Sequence, residues 1–247
     1  MKLFKKLTQL KTNTLPDVGL INRNTPFAIR EAYKTLYTNL LYLNIEDKCK
    51  KIAVTSALPS EGKSTLSANL AYSIAQNSDN KKVLLVDLDM RAPKAAKIFG
   101  IQSRPHGLSE YLAGIDETPN VMYLPESKVS LLTSGACNIN PTKLIVSDRM
   151  AELVSTLSME YDYIIFDTPP VNVVTDSLHI CKYVNGYIIS TLAGHSDVNS
   201  IEQCVESINR VGGEIYGFVM SALKMKIMSS RYSRYTKYSK YSHYDKG

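Results

Sequence analysis

Ala57-Leu58-Pro59-Ser60-Glu61-Gly62-Lys63-Ser64 decides the fold. It follows an apolar run, Ile52-Ala53-Val54-Thr55, that reads as a strand, and it opens a helical pattern from about Lys63 to Gln76. A turn from strand to helix is where a phosphate-binding loop must sit, because its N–H groups and the helix N-terminus face phosphate oxygens together. Gly62 lets the backbone approach closely, Lys63 can reach β- and γ-phosphates, and the Ser64 hydroxyl can join the shell of a Mg²⁺ ion. Ser60, Glu61, Gly62, Lys63, Ser64 and Thr65 are therefore the expected nucleotide-contacting run, with ATP and Mg²⁺ as ligands. Ala57 stands where the pattern G-x-x-x-x-G-K-[ST] has its first glycine. A fortuitous G-K-S is the bland reading, and the strand before and helix after weigh against it.

Outward from this loop, short apolar runs alternate with helical patterns. Val83–Asp87, Leu131–Thr133, Tyr163–Asp167, Tyr187–Ser190 and Gly217–Met220 read as strands. Helices are predicted from Pro26 to about Leu41, with Thr25 as cap, from Pro141 to Ser158, and through Ile201, Val205 and Ile208. Nearly continuous apolar strands between helices mean an α/β fold, a mostly parallel central sheet flanked by helices. The expected divisions are a basic segment over 1–24, a P-loop domain over 25–228 and a flexible tyrosine-rich tail over 229–247.

Three carboxylates fall at strand ends, where ligands bind in open α/β sheets. Asp167 closes its strand, the position of a Mg²⁺-orienting aspartate in P-loop enzymes. Asp87 and Asp89 follow the second strand at i and i+2, on one side if the strand geometry continues. Lys63, Asp87, Asp89 and Asp167 are the candidate catalytic groups, and Ser64, Asp87 and Asp167 the candidate metal ligands. The bland reading makes Asp87 and Asp89 caps of the next helix.

With these elements in place, the sequence resembles the bacterial protein tyrosine kinases of polysaccharide synthesis. Val83-Leu84-Leu85-Val86-Asp87-Leu88-Asp89-Met90-Arg91 is similar to that family's second Walker motif, and Tyr163–Pro170 to its Walker B segment. Gly107–Gly114 is similar to a further family segment. The resemblance implies the deviant-Walker branch of P-loop NTPases and ATP·Mg²⁺ as phosphate donor. It also implies autophosphorylation of the tail between subunits of a homo-oligomer, in regulation of capsular or extracellular polysaccharide synthesis and export. By position, Lys63 and Ser64 would hold phosphate and metal, Asp167 would orient the metal's water, and Asp87 and Asp89 would act at the attacking hydroxyl. Arg91 would either stabilise the transferred group or form a structural ion pair. Implied partners are a transmembrane activator that recruits the cytoplasmic chain to the plasma membrane, a cognate tyrosine phosphatase, and polysaccharide-synthesis enzymes as substrates. Two positions depart from the family pattern. Ala57 is one; the other is the subunit-contact motif E-x-x-R-x-x-R, which reads here Glu31-Ala32-Tyr33-Lys34-Thr35-Leu36-Tyr37. Lysine and tyrosine cannot reproduce bidentate arginine contacts, which puts in doubt the ring-shaped oligomer that the resemblance implies, or means that it is held differently.

Tyr232, Tyr235, Tyr238, Tyr241 and Tyr244 recur at three-residue spacing among Ser, Thr, Arg and Lys, the expected phosphorylation sites. The formal net charge is +6, of which residues 1–12 carry +4 and residues 230–247 another +4, so the body is nearly neutral. That speaks against a folded nucleic-acid binder, although a basic aromatic tail could stack on single strands. Leu3, Phe4, Leu7 and Leu10 among N-terminal lysines would suit an interfacial helix or a frayed terminus. No run approaches the ~20 apolar residues of a membrane span. The four cysteines show no C-x-x-C pair and read as small buried apolar residues. The rival is a partitioning or positioning ATPase of the same branch, whose signature lysine in the loop is replaced here by Leu58.

Overall fold

Seven strands, β1 (Lys50–Ser56), β2 (Val83–Asp87), β3 (Met122–Leu124), β4 (Val129–Leu132), β5 (Tyr163–Asp167), β6 (Gly186–Leu192) and β7 (Ile215–Ser221), form one sheet in the order β3-β4-β2-β5-β1-β6-β7. The structure is a computed structural model and describes residues 19–43, 45–101, 106–136 and 138–221. All neighbouring strands run parallel except β3 against β4. The eight α-helices among the described residues are α1 (Phe27–Leu41), α2 (Lys63–Asn77), α3 (Ala95–Ile98), α4 (Leu108–Leu112), α5 (Pro141–Ile145), α6 (Asp148–Glu160), α7 (Asp176–His179) and α8 (Val198–Arg210).

The strand alternation divides the core in two. Ile52, Val54, Val83, Leu85 and Ile165 point to a layer containing α1, α2 and α3, while Ala53, Leu84, Val86, Ile164 and Phe166 point to one containing α4, α5, α6 and α8. Both faces of the central strands are thus covered, which is why those runs carry no polar alternation.

Three local expectations are corrected. Thr25 does not cap α1: its hydroxyl accepts from Asn22 N at 3.0 Å, and Pro26 stands at the cap with no side-chain bond. The predicted Pro141–Ser158 helix is two helices. Asn140 caps the first, accepting from Thr142 N at 3.0 Å, and Ser147, whose hydroxyl donates to Leu144 O at 2.7 Å, separates it from the second. β3 is not among the predicted strands; three residues at a sheet edge carry too little periodicity to register. The N-terminal lysines and the tyrosine cluster lie outside the described residues.

Candidate active site

The C-terminal ends of β1, β2 and β5 bring the loop and the acids together. Asp87 and Asp167 are register partners, and Asp167 also pairs with Val54, two residues before β1 ends. The chain then turns through Ser60 (φ 66°) and Gly62 (φ 85°) into α2. Positive φ suits glycine and is uncommon for serine, and turns of this kind make the concave N–H lining that receives anions. Glu61 locks the loop from beneath. It is fully buried; Oε2 accepts from Leu58 N at 2.8 Å, Oε1 accepts from the Ser196 hydroxyl, and its carbonyl accepts from Ser190 Oγ at 2.6 Å. The Glu61 side chain is therefore used inside the protein, leaving only its backbone to face a ligand.

At the start of α2, Lys63 Nζ lies 2.6 Å from Asp89 Oδ2 and 3.4 Å from Ser64 Oγ. Thr65 is exposed, and its carbonyl accepts from Asn69. Ser67, one turn after Lys63, places its hydroxyl 2.8 Å from Lys63 O and 3.2 Å from Asp167 Oδ1. Ser67 is not among the predicted site residues, although its i+4 spacing from Lys63 is a signal that could have found it. Asp87 and Asp89 do not share one role. Asp87 Oδ2 accepts from Ala95 N, the first residue of α3, at 3.0 Å, and Asp89 Oδ1 accepts from Ala92 N at 3.1 Å. Each thus uses one oxygen to hold the turn after β2 and keeps the other for the site.

Those other oxygens differ. Asp89 Oδ2 is taken by Lys63, whereas Asp87 Oδ1 and Asp167 Oδ2 are buried without a hydrogen-bond partner among the described residues. Burial, with the Asp167 charge beside it, pushes the Asp87 carboxyl up to about 8. Burial likewise raises Asp167. Burial alone would lower Lys63, but attraction to Asp167, Asp89 and Asp87 outweighs it and keeps the ammonium charged. Two orphaned carboxylate oxygens beside a serine hydroxyl are hard donors suited to a divalent cation. Among the described residues no three His, Cys, Asp or Glu side chains converge as a metal cage. An ion here would draw its remaining ligands from phosphate oxygens and water, as Mg²⁺ ordinarily does.

Arg91 forms the structural ion pair. Its Nε and Nη2 meet Asp176 Oδ2 and Oδ1 at 2.8 and 3.2 Å, and Thr142 Oγ1 donates to Asp176 Oδ1 at 2.6 Å. Asp176 and Thr142 are distant in sequence from the loop, and nothing in their local pattern marks them. Leu58 is partly buried against the core.

Residues 49–217 match a family model described as an AAA domain. Over 207 residues the chain is 31% identical to a putative tyrosine-protein kinase, CapB, of Staphylococcus aureus, covering 83% of this chain and 89% of the relative. Among solved structures, the kinase domain of the Escherichia coli tyrosine kinase ETK is 29% identical with a TM-score of 0.78, over 88% of this chain and 84% of that one. A chimerical protein, CapA2B2, is 32% identical with a TM-score of 0.75, over 82% of this chain and 88% of the other. The fold carrying the loop is that of a P-loop nucleotide-binding domain.

Proposed function

The chain belongs to the bacterial tyrosine-protein kinases, and on that premise we propose that it transfers the γ-phosphoryl group of ATP·Mg²⁺ to Tyr232, Tyr235, Tyr238, Tyr241 and Tyr244 of a neighbouring copy. The observation that carries this reading is the division of labour among the three acids. Ser64, Asp87 and Asp167 would hold the metal, which when bound neutralises charge on the phosphoryl oxygens. The backbone of Ser60 to Thr65 and the Lys63 ammonium bind and orient the phosphates. A tyrosine hydroxyl, with pKa near 10, is a poor nucleophile at neutral pH and needs a proton acceptor. Asp89 suits that role, because once phosphate oxygens draw Lys63 away its Oδ2 is freed beside the reacting group. Arg91, paired with Asp176, holds the turn that carries Asp89 rather than touching the phosphate.

The working unit on this reading is the P-loop domain over 25–228, acting on a tail over 229–247 in a homo-oligomer. Among the described residues no helix is long and apolar enough to cross a membrane. Membership of the family supports a cytoplasmic place at the plasma membrane, to which a transmembrane activator would bring the chain. A tyrosine phosphatase would reset the tail, and enzymes of polysaccharide synthesis are the candidate further substrates.

Phosphate mapping by mass spectrometry, after incubating the purified chain with ATP and Mg²⁺, tests this. Phosphate is expected on Tyr232 to Tyr244, lost in Lys63→Met and in a chain ending at Arg231. ATP hydrolysis without any tyrosine phosphate, even with a candidate activator supplied, would sink the kinase reading and favour a positioning ATPase.

A further inference from the structure

A cavity of about 200 Å³ lies between residues 21–23, α1 and the last turns of α2. At ~1.5 Å per helical residue, its α2 residues Tyr72 to Asn77 sit roughly 14–21 Å along the helix from Lys63, so it is separate from the phosphate loop. Water in the liquid takes roughly 30 Å³ per molecule, so the space admits a much larger group.

Its chemistry is one-sided. Arg23, Arg30 and Lys34 line it, and among the described residues no carboxylate does. Arg30 and Lys34 are one turn apart on the same face of α1. Lys34 meets Glu31 at 3.0 Å, an exposed pair on the solvent side. Arg30 Nε is buried and has no hydrogen-bond partner among the described residues. A buried guanidinium N–H left unpaired is costly, and its natural complement is an oxyanion. The nearby helix-end carbonyls do not answer it. Ser73 O accepts from Asn77 Nδ2 at 2.7 Å, and Ile74 O accepts from Ser78 N and Oγ at 3.0 and 2.6 Å. Tyr72 completes the wall with an aromatic ring that the Arg23 charge reaches.

We propose that this cavity is a docking site for phosphotyrosine of the C-terminal tail, which rests on the tail phosphorylation proposed above. The clustered charges of Arg23, Arg30 and Lys34 suit a phosphate monoester, and the Tyr72 side offers an aromatic partner to a phenyl ring. Charge gives the docking its direction. Residues 230–247 carry +4 before modification and are repelled by the three cations of the pocket. With each phosphate adding about −1.5 to −2, full modification takes the tail to roughly −4 to −6 and reverses the sign. Residues 222–247 follow the last described strand, and a chain spans at most ~3.3–3.6 Å per residue. The pocket would hold the product tail away from the phosphate loop.

A synthetic fluorescent peptide of residues 231–247, with and without phosphate on its five tyrosines, titrated into the phosphatase-treated full chain by fluorescence polarisation, tests this. Because the phosphate is placed by synthesis, failure of the autokinase reading does not affect the assay. The phosphopeptide is expected to bind at least tenfold tighter than its unmodified twin. Arg30→Ala should weaken it at least tenfold and Arg30→Lys partly, with circular dichroism verifying folding, while Lys63→Met should leave it unchanged. Free phosphotyrosine should compete better than inorganic phosphate. Equal binding of the two peptides, indifference to Arg30→Ala in a folded variant, loss in Lys63→Met, or equal competition by inorganic phosphate would each overturn the proposal.

Discussion

The Lys63 ammonium and the Asp89 carboxylate stand 2.6 Å apart, with side-chain exposures of 8% and 3%. The pair couples the loop before α2 to the turn after β2, so the group proposed to bind phosphate also covers the proposed proton acceptor. Asp89→Asn removes the acceptor and loosens the hold on Lys63. We expect nucleotide affinity to persist or rise, while tyrosine phosphorylation falls at least ~100-fold, the span of a lost general base. Asp87→Asn and Asp167→Asn should instead weaken Mg²⁺-dependent nucleotide binding. Titration with a fluorescent ATP analogue beside single-turnover phosphorylation separates the two outcomes. If Asp89→Asn loses nucleotide affinity in step with Asp87→Asn, the acids act as one metal site.

Glu110 gives a pH-dependent test. Its Oε2 accepts from Gly107 N and its Oε1 from Ala136 N, both at 2.8 Å, which ties α4 to the segment after β4. Gly135 makes this possible: its φ is +80°, and a Cβ there would lie 1.9 Å from Glu110 Oε2. Burial opposes the carboxylate charge, but the N–H donors outweigh it and hold Glu110 below the ordinary value of 4.5. With a depressed folded-state value, its contribution is fully present above the ordinary value and is lost as pH falls through the folded-state one. Glu110→Gln is expected to cost about 1.5–3 kcal/mol at neutral pH. Thermal melts should show the gap to the parent chain closing as pH is taken below 4.5. A gap that stays constant with pH would assign the loss to packing.

The elements that carry the fold were legible because periodicity and position agreed. β1, β2 and β5 are apolar runs ending in small or acidic residues, and the loop at Gly62 sits where strand becomes helix. Lys63, Asp87, Asp89 and Asp167 were singled out by type and place alone, and the folded sheet brings them together. Their different partners were not legible, because hydrogen bonds to Ala92 and Ala95 depend on how the turn after β2 folds back. The same holds for Asp176 and Thr142, whose contact with Arg91 spans separations that only the folded sheet closes. The Ser147 break had a local signal, a serine followed by Asp148, hidden within a continuous apolar period.

Asn69 fastens the chain before α1 to α2. Its Oδ1 accepts from Ile21 N at 2.6 Å, while Nδ2 donates to Gly19 O at 2.6 Å and Thr65 O at 2.9 Å. An amide alone among side chains of this size both accepts and donates here. Asn69→Asp sets a carboxylate oxygen against two carbonyls and should destabilise more than Asn69→Leu, by about 1–3 kcal/mol for the polar groups left unpaired. Hydrogen exchange should show early loss of protection at Ile21, ahead of the sheet. Uniform loss across the chain would mean that this segment does not open independently.

Tyr37 occupies the third position of the subunit-contact motif, yet it faces inward. It is 8% exposed, and its ring meets Tyr163 of β5 edge-on at 6.4 Å between centroids. An arginine restored there by Tyr37→Arg would be driven into the core beside an aromatic ring, not offered to a neighbour. It should cost about 3 kcal/mol or more as a buried unpaired charge. At roughly 2–4 °C per kcal/mol for a chain of this size, the melting temperature should fall on the order of 10 °C. Lys34→Arg, on an exposed side chain, should be neutral for stability. Light scattering of both variants beside the parent chain decides what the motif does. If Tyr37→Arg is stable and gains a larger oligomer, the helix turns outward in the assembly and the Tyr37–Tyr163 contact is not essential to the fold. If it melts early with no gain in size, Tyr37 is a core residue, and any ring this chain forms is held by contacts other than the motif's arginines.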